Sequence, residues 1–281
     1  MSDKTILVTG ATGQQGGALI NAMKGSSFKL RAMTRKPEGD KAVALKQAGI
    51  DVVDGDLDRE DSLTKALAGV WGVYAVQNTW EAGVEKEEMQ GKRMATLAKR
   101  AGVQHFVYAS VASAHRGTGI PHFENKWRVE DTVRQAGFPS FAIVRPVFFM
   151  ENLVTPWFLN GDSLATALKP DTKLQMIAVE DVGKFGARAF TDAASFNGRE
   201  LDIAGDSRTM AETAAILSRA LGRTITFSPV PIEEIRKNSV DYALMLDWFE
   251  GVGYDADIPA LKKEFGFSPL TLEQWAQRLK V

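Results

Sequence analysis

The stretch TILVTGATGQQGG, residues 5–17, runs a β-branched apolar segment straight into glycines spaced three apart. Gly10, Gly13 and Gly16 make a G-x-x-G-x-x-G pattern, close to but distinct from the G-x-G-x-x-G dinucleotide fingerprint. The physical demands are similar: a tight turn, backbone approach to a pyrophosphate, and close packing of a helix on a strand. A helix that starts here turns its free N–H groups toward an anion. Glycines also serve turns that hold no ligand. The position between a first strand and a helix is what points to a nucleotide.

Outward from this loop the first half alternates. Strands are expected at residues 5–9, 29–34, 51–55, 71–76, 105–110 and 140–145, with helices near 14–24, 40–48, 60–68, 85–101 and 124–136. Six strands joined by helical crossovers predict an α/β fold with a parallel sheet covered on both faces. Right-handed crossovers make it doubly wound, with a ligand outside the carboxyl ends of the strands. A dinucleotide-binding unit is therefore expected over residues 1–145. Beyond Arg145 the alternation fades. Helices are expected at 181–191, 211–221, 232–248, 257–264 and 271–279, with short strands near 200–204 and 224–228. Residues 146–281 read as a smaller, mainly helical lobe, with an approximate boundary and segments able to return to the sheet.

Composition narrows the function. The 281 residues carry 34 basic and 35 acidic side chains, a formal net charge of −1, and no basic block. Direct nucleic-acid binding through phosphate neutralisation is not expected. Cysteine is absent, which removes disulfides and thiolate chemistry, so any redox role lies in a bound cofactor. The N-terminus lacks the basic and long apolar regions of a signal peptide. The apolar run FAIVRPVFFMENLV, residues 141–154, is broken by Arg145 and Pro146 and is too short to span a bilayer. A soluble cytoplasmic protein, or a nuclear one, is expected, with no membrane partner.

Further polar residues stand at the expected strand ends. Thr34, Arg35 and Lys36 follow the second strand. NAD-selective sites place a carboxylate about 20 residues after the loop, where it would repel a 2′-phosphate. Guanidinium instead grips that phosphate through charge-assisted hydrogen bonds, so NADP(H) is favoured over NAD(H). The other reading is a solvated pair of surface cations. Asp56 and Leu57 follow the third strand and suit an adenine, or a plain turn. Gln77 and Asn78 follow the fourth and suit the other ribose, or satisfy a loop. In PHFENKW, residues 121–127, His122 and Lys126 stand four apart, on one face of a helix.

TGATGQQGG, TRK, GDLD, NTWE, PHFENKW and FMENL occur in order and in context, and together resemble the NmrA-like family of atypical short-chain dehydrogenase/reductases, in particular its NADPH-sensing members. The resemblance continues to the TLEQWAQRL ending. It implies a Rossmann-type domain that binds NADP(H) and a helical second domain. By the same resemblance Gly10, Thr12, Gly13, Gln14, Gln15 and Gly16 surround the pyrophosphate, and Arg35, with Lys36 in addition, takes the 2′-phosphate. Asp56 and Leu57 take the adenine, Gln77 and Asn78 the other ribose, and Lys126 the nicotinamide ribose. Phe149, Met150, Glu151 and Asn152 close over the nicotinamide end.

Ordinary members of the superfamily use Tyr-x-x-x-Lys, and here His122 stands at the tyrosine position. Imidazole titrates at about pH 6.5 but is shorter and places its nitrogens elsewhere. Ser110 or Ser113 can supply a supporting hydroxyl. Tyr74 and Tyr108 lie inside expected buried strands, where packing is the better reading. His115, His122 and Glu124 match no metal-ligand spacing, and Glu130 reads as an ion-pair partner rather than a base. No residue is assigned as catalytic and none as a metal ligand. Two functions follow. One is an NADP(H)-responsive regulator acting on a protein partner or across a homodimer interface. The other is an NADPH-dependent reductase of a quinone, enone or similar small apolar carbonyl compound, with Phe148, Phe149, Met150, Trp157, Trp248 and Phe249 around its pocket.

Overall fold

The computed structural model describes residues 4–279. Its strands are β1 (Thr5–Val8), β2 (Lys29–Thr34), β3 (Asp51–Asp54), β4 (Gly72–Ala75), β5 (His105–Ala109), β6 (Ser140–Pro146), β7 (Phe148–Phe149), β8 (Leu159–Asn160), β9 (Ser163–Thr166), β10 (Lys173–Ile177), β11 (Arg199–Ile203), β12 (Asp206–Thr209) and β13 (Thr226–Pro229). The first-half helices are α1 (Gln14–Ala22), α2 (Asp40–Gln47), α3 (Glu60–Ala66), α4 (Thr79–Ala82), α5 (Val84–Arg100) and α6 (Pro121–Gln135). They are followed by α7 (Val179–Thr191), α8 (Ala193–Phe196), α9 (Met210–Leu221), α10 (Ile232–Asn238), α11 (Val240–Gly251), α12 (Ile258–Phe265) and α13 (Leu272–Ala276).

Seven strands form one sheet in the order β11-β6-β5-β4-β1-β2-β3, and every pairing in it is parallel. The order reverses at β1, which lies between β2 and β4, so the crevice outside their carboxyl ends is the topological switch point. Ile6, Leu7 and Val8 have no exposed surface, as expected for a strand covered on both faces. Leu19 and Ile20 of α1 pack one face together with Phe185 and Phe190 of α7. Leu63, Met94 and Val129, from α3, α5 and α6, pack the other. A third core joins Phe123 of α6 to Phe148, Phe249 and Trp275 of the second lobe.

Two segments that follow residue 146 belong to the sheet layer. Strand β11 is its edge, and α7 lies against α1. A Cβ on Gly183 of α7 would stand 2.4 Å from the carbonyl oxygen of Ala18, so the two helix backbones touch. The second lobe also holds two three-stranded sheets, β12-β10-β7 and β13-β9-β8, beyond the helices and short strands expected there. Their shortest members have two residues, too few for a period-2 pattern to show. The single helix expected over 232–248 is two helices, broken at Ser239, whose hydroxyl caps α11 by accepting from the Tyr242 N–H at 3.2 Å. The helix expected from residue 124 begins at Pro121, a first-turn proline, and so contains the whole PHFENKW stretch.

Candidate functional site

The glycine loop is shaped by contacts that exclude side chains. Gly10 has φ +58°, and its carbonyl accepts from the Gly13 N–H at 2.9 Å. A Cβ on Gly16 would stand 2.4 Å from that same carbonyl oxygen. Gly13 is the N-cap of α1 and makes no side-chain cap, and the first turn carries no acid, so the first N–H groups of the helix lack a side-chain partner of their own. Thr12 and Gln15 are half-buried and Gln14 is exposed. The Gln15 Oε1 is buried without a hydrogen-bond partner. Thr9, which sequence reasoning did not single out, locks the switch point. Its Oγ1 accepts from the Val76 N–H at 2.7 Å and donates to the Val76 carbonyl at 2.8 Å, tying the end of β1 to the end of β4.

Arg35 and Lys36 line a cavity of about 340 Å³ together with Thr12, Thr34 and Lys41. Lys41, from α2, was also missed; its Nζ donates to the Thr12 carbonyl at 3.2 Å and so joins α2 to the glycine loop. Arg35 pairs with Glu81 of α4. That hydrogen bond is the foremost reason its guanidinium is held above the ordinary arginine pKa. A second cavity, about 480 Å³, lies in the second lobe against Lys169, Lys173, Glu250 and Tyr254. Phe249 alone among the residues expected at a site lines it.

Asp56 forms the turn: its Oδ1 accepts from the Asp58 N–H at 2.9 Å. Leu57 is half-buried against the core. At the end of β4, Gln77 is 5% exposed, and neither its Oε1 nor its Nε2 has a partner. Buried amides are nearly always paired, so this one is a candidate contact for a bound group. Asn78 is exposed and caps α4, accepting from the Trp80 N–H at 3.1 Å.

Helix α6 carries His122 and Lys126 on one face, and the structure sends them to different partners. Lys126 Nζ lies 2.6 Å from Oε1 of Glu87 in α5, with the two side chains 12% and 1% exposed. Glu87 also accepts from Thr79 Oγ1 and from Asn125 Nδ2. Burial alone would raise the Glu87 carboxyl. The Lys126 charge, with hydrogen bonds from Lys126, Thr79 and Asn125, outweighs burial and holds it below the usual glutamate range. His122 Nδ1 approaches Asp241 Oδ2 of α11 to 2.6 Å, at an angle that falls short of a hydrogen bond. The His122 backbone N–H donates to Asp241 Oδ1 at 3.1 Å. Trp80 covers the imidazole at 5.2 Å and meets Tyr242 edge-on at 6.0 Å.

The remaining candidates have the following surroundings. Tyr74 and Tyr108 are fully buried, their hydroxyls unpartnered and their pKa values pushed up by burial. Glu130 has no exposed surface and accepts from Arg145, Arg134 and Ser110. Ser110 is thereby engaged. Ser113, in a left-handed backbone conformation at φ +65°, keeps a buried hydroxyl without a partner. Phe149 is half-buried in β7, opposite Ile177 of β10. Asn152 is half-buried, its carbonyl accepting from the Thr155 hydroxyl at 2.8 Å. Glu151 instead anchors the lobe, accepting from the Val179 N–H and the Trp275 indole.

Six side chains are expected around an apolar pocket, and one of them, Phe249, lines the cavity of about 480 Å³. Phe148, Met150 and Phe249 are spent in the second-lobe core, and Trp157 stands 89% exposed. Among the described residues no helix is long and apolar enough to cross a membrane, and no three His, Asp or Glu side chains are grouped to hold a metal ion.

The nitrogen metabolite repression protein nmrA of Emericella nidulans is 28% identical over 279 residues, covering 94% of this chain and 75% of that protein. The NADPH-dependent quinone oxidoreductase QOR2 of Escherichia coli, solved with NADPH, matches 96% of this chain and 98% of its own, with TM-score 0.81 and 26% identity. Triphenylmethane reductase of Citrobacter sp., complexed with NADP(H), has TM-score 0.82 over 98% of this chain and 99% of its own. At 23% identity that likeness concerns the fold. The same holds for NmrA complexed with NAD, with TM-score 0.80 and 23% identity over 98% of this chain and 95% of its own. The family model running from residue 2 to residue 270 agrees with the sheet order and the glycine loop, and the chain belongs to the NmrA-like family.

Proposed function

We propose that this chain binds NADP(H) at the switch point and works as a cofactor-responsive regulator. The observation that carries the binding is Gln77, a buried amide with both polar atoms unpartnered, beside an uncapped helix N-terminus at the crevice where such sheets hold dinucleotides. The preference for NADP(H) rests on the cavity next to Thr12, where the three cations Arg35, Lys36 and Lys41 outnumber the one acid, Asp40. The complex of the quinone oxidoreductase with NADPH supports dinucleotide binding.

The regulatory part rests on what the acid–base groups are doing. Both strand tyrosines are sealed in the core, His122 is turned to Asp241, and Lys126 is held by Glu87. Helix α4 then supplies a route outward. Glu81 meets Arg35 on the cofactor side, while Trp80 packs on His122 and Tyr242 toward the second lobe. A regulator needs two conformations with different cofactor affinity, and a short helix touching both sides is a physical means to that difference. The partner that reads it is a protein, or a second copy of this chain.

Likeness to the quinone oxidoreductase favours a second reading, NADPH-dependent reduction of a quinone, enone or other small carbonyl compound. Titration with NADP+ and NAD+, combined with NADPH oxidation over a carbonyl and quinone panel, decides between them. Tight NADP(H) binding without turnover, with a cofactor-dependent change in assembly, supports the regulator. Turnover that disappears in Lys126→Met while the cofactor still binds overturns it.

A further inference from the structure

We propose that Glu81 is a specificity-determining residue of the dinucleotide site. Its carboxylate competes with a 2′-phosphate for the Arg35 guanidinium, and so sets how strongly the protein prefers NADP(H) to NAD(H). This inference rests on the dinucleotide reading above.

The geometry behind it is a cation shared by two claims. Arg35 stands at the end of β2 and lines the cavity that also holds Thr12, Lys36 and Lys41. Its Nη2 is taken by Glu81, which arrives from the other side of the switch point on α4. That helix is short and fixed at both ends, capped by Asn78 and terminated at Gly83 with φ +84°, so Glu81 is presented rather than left to wander. A guanidinium has five N–H donors and can serve several oxyanions, as Arg134 does for Glu130, Asp131 and Glu200, but the Nη2 that Glu81 holds is closed to a 2′-phosphate while the pair stands.

The pair is exchangeable because it is exposed. The Arg35 and Glu81 side chains keep 58% and 55% of their surface in solvent, where ion pairs are weak and screened. A phosphate monoester carrying close to two negative charges displaces a carboxylate carrying one. The ribose of NAD(H) offers a neutral hydroxyl there and has no such claim on Arg35. Glu81 therefore taxes NADP(H) binding alone. Asp56 and Asp58 add negative potential at Arg35. Neither forms an ion pair with it, so Glu81 is the carboxylate to change.

Calorimetric titration of the full chain with NADP+ and NAD+, on the wild type, Glu81→Gln, Arg35→Ala and the double variant, tests this. Glu81→Gln is expected to tighten NADP+ by about two- to five-fold, the worth of an exposed ion pair, and to leave NAD+ unchanged. In the Arg35→Ala background the same substitution is expected to change neither. Equal gains for both nucleotides, or a gain that survives Arg35→Ala, would overturn the competition. A selective loss of NAD+ would make Glu81 a ribose ligand and overturn it too. A wild type that prefers NADP+ but ignores Glu81→Gln overturns this inference and leaves the dinucleotide reading standing. A wild type that binds neither nucleotide removes both.

Discussion

Lys126 of α6 and Glu87 of α5 meet at 2.6 Å, and the carboxylate is almost wholly enclosed. Four residues before the lysine, His122 leaves the same helix face for a different carboxylate, Asp241. Two residues one helical turn apart are therefore two tethers, one inside the sheet layer and one, through the His122 backbone N–H, to the second lobe.

Removing the lysine should be costly. Lys126→Met leaves the Glu87 charge buried with only Thr79 and Asn125 to satisfy it. Breaking one side of a buried pair costs about 3–5 kcal/mol. Urea denaturation should show a loss in that range for Lys126→Met and a smaller one for Lys126→Arg. A loss below about 1 kcal/mol, the worth of an exposed pair, would show that the pair does not hold the helices together.

Acid should find the same pair. Glu87 and Glu200 are both held below the ordinary glutamate value, Glu87 against its own burial and Glu200 foremost by the Arg134 hydrogen bond. Their stabilisation is complete above the unfolded value of about 4.3, and is lost as pH falls through the lower folded values. Burial raises Glu151 and Asp202, which act oppositely: their advantage is complete below the ordinary carboxylate value and is lost as pH rises through the raised folded value. Melting temperatures between about pH 5 and pH 3 should fall in the wild type and fall less steeply in Glu87→Gln. Equal slopes would refute the assignment.

Gly16→Ala and Gly17→Ala should part company. The new methyl of the first would meet the Gly10 carbonyl at 2.4 Å, backbone against backbone, whereas that of the second meets the Ala11 carbonyl at an ordinary 3.6 Å. Overpacking of this kind costs about 1–3 kcal/mol, and opening the loop should abolish nucleotide binding. Gly17→Ala should keep the fold, as thermal melts will report.

Thr9→Val should loosen the crevice without touching a ligand. It removes the hydroxyl that both accepts from and donates to Val76. An unsatisfied N–H costs about 1–3 kcal/mol, and Thr9→Ser should recover most of it. Hydrogen exchange at Val76 is the direct measure, and slow exchange retained in Thr9→Val would dismiss the role.

Strands β1, β4, β5 and β6 were legible because buried parallel strands read as apolar runs, and the glycine loop because its spacing is dictated by backbone contact. Glu81, Lys41 and Thr9 were not, since each acts on a residue far away in sequence and only the fold brings the two together. Glu87 left a signal that could have been used. With Gly91, Met94 and Ala98 it lies on the buried stripe of α5, and an acid on such a stripe needs a partner. Ser239 was legible too, as a helix-capping residue inside an assumed continuous helix. Of the short strands after β6, β11 and β13 match those expected near 200–204 and 224–228, and the others carry no such mark.

The bare contact between Gly183 and Ala18 bears on how this protein can be taken apart and how it can move. Helix α1, with the nucleotide loop at its head, has no cushion of side chains separating it from α7, so neither can tilt without dragging the other. A chain cut at residue 145 would lose this spine together with the outermost strand of its sheet. Leu19 and Ile20, which pack in one core with Phe185 and Phe190, would be left uncovered. The glycine loop at the head of α1 thus rides on a keel laid down by the second half of the chain.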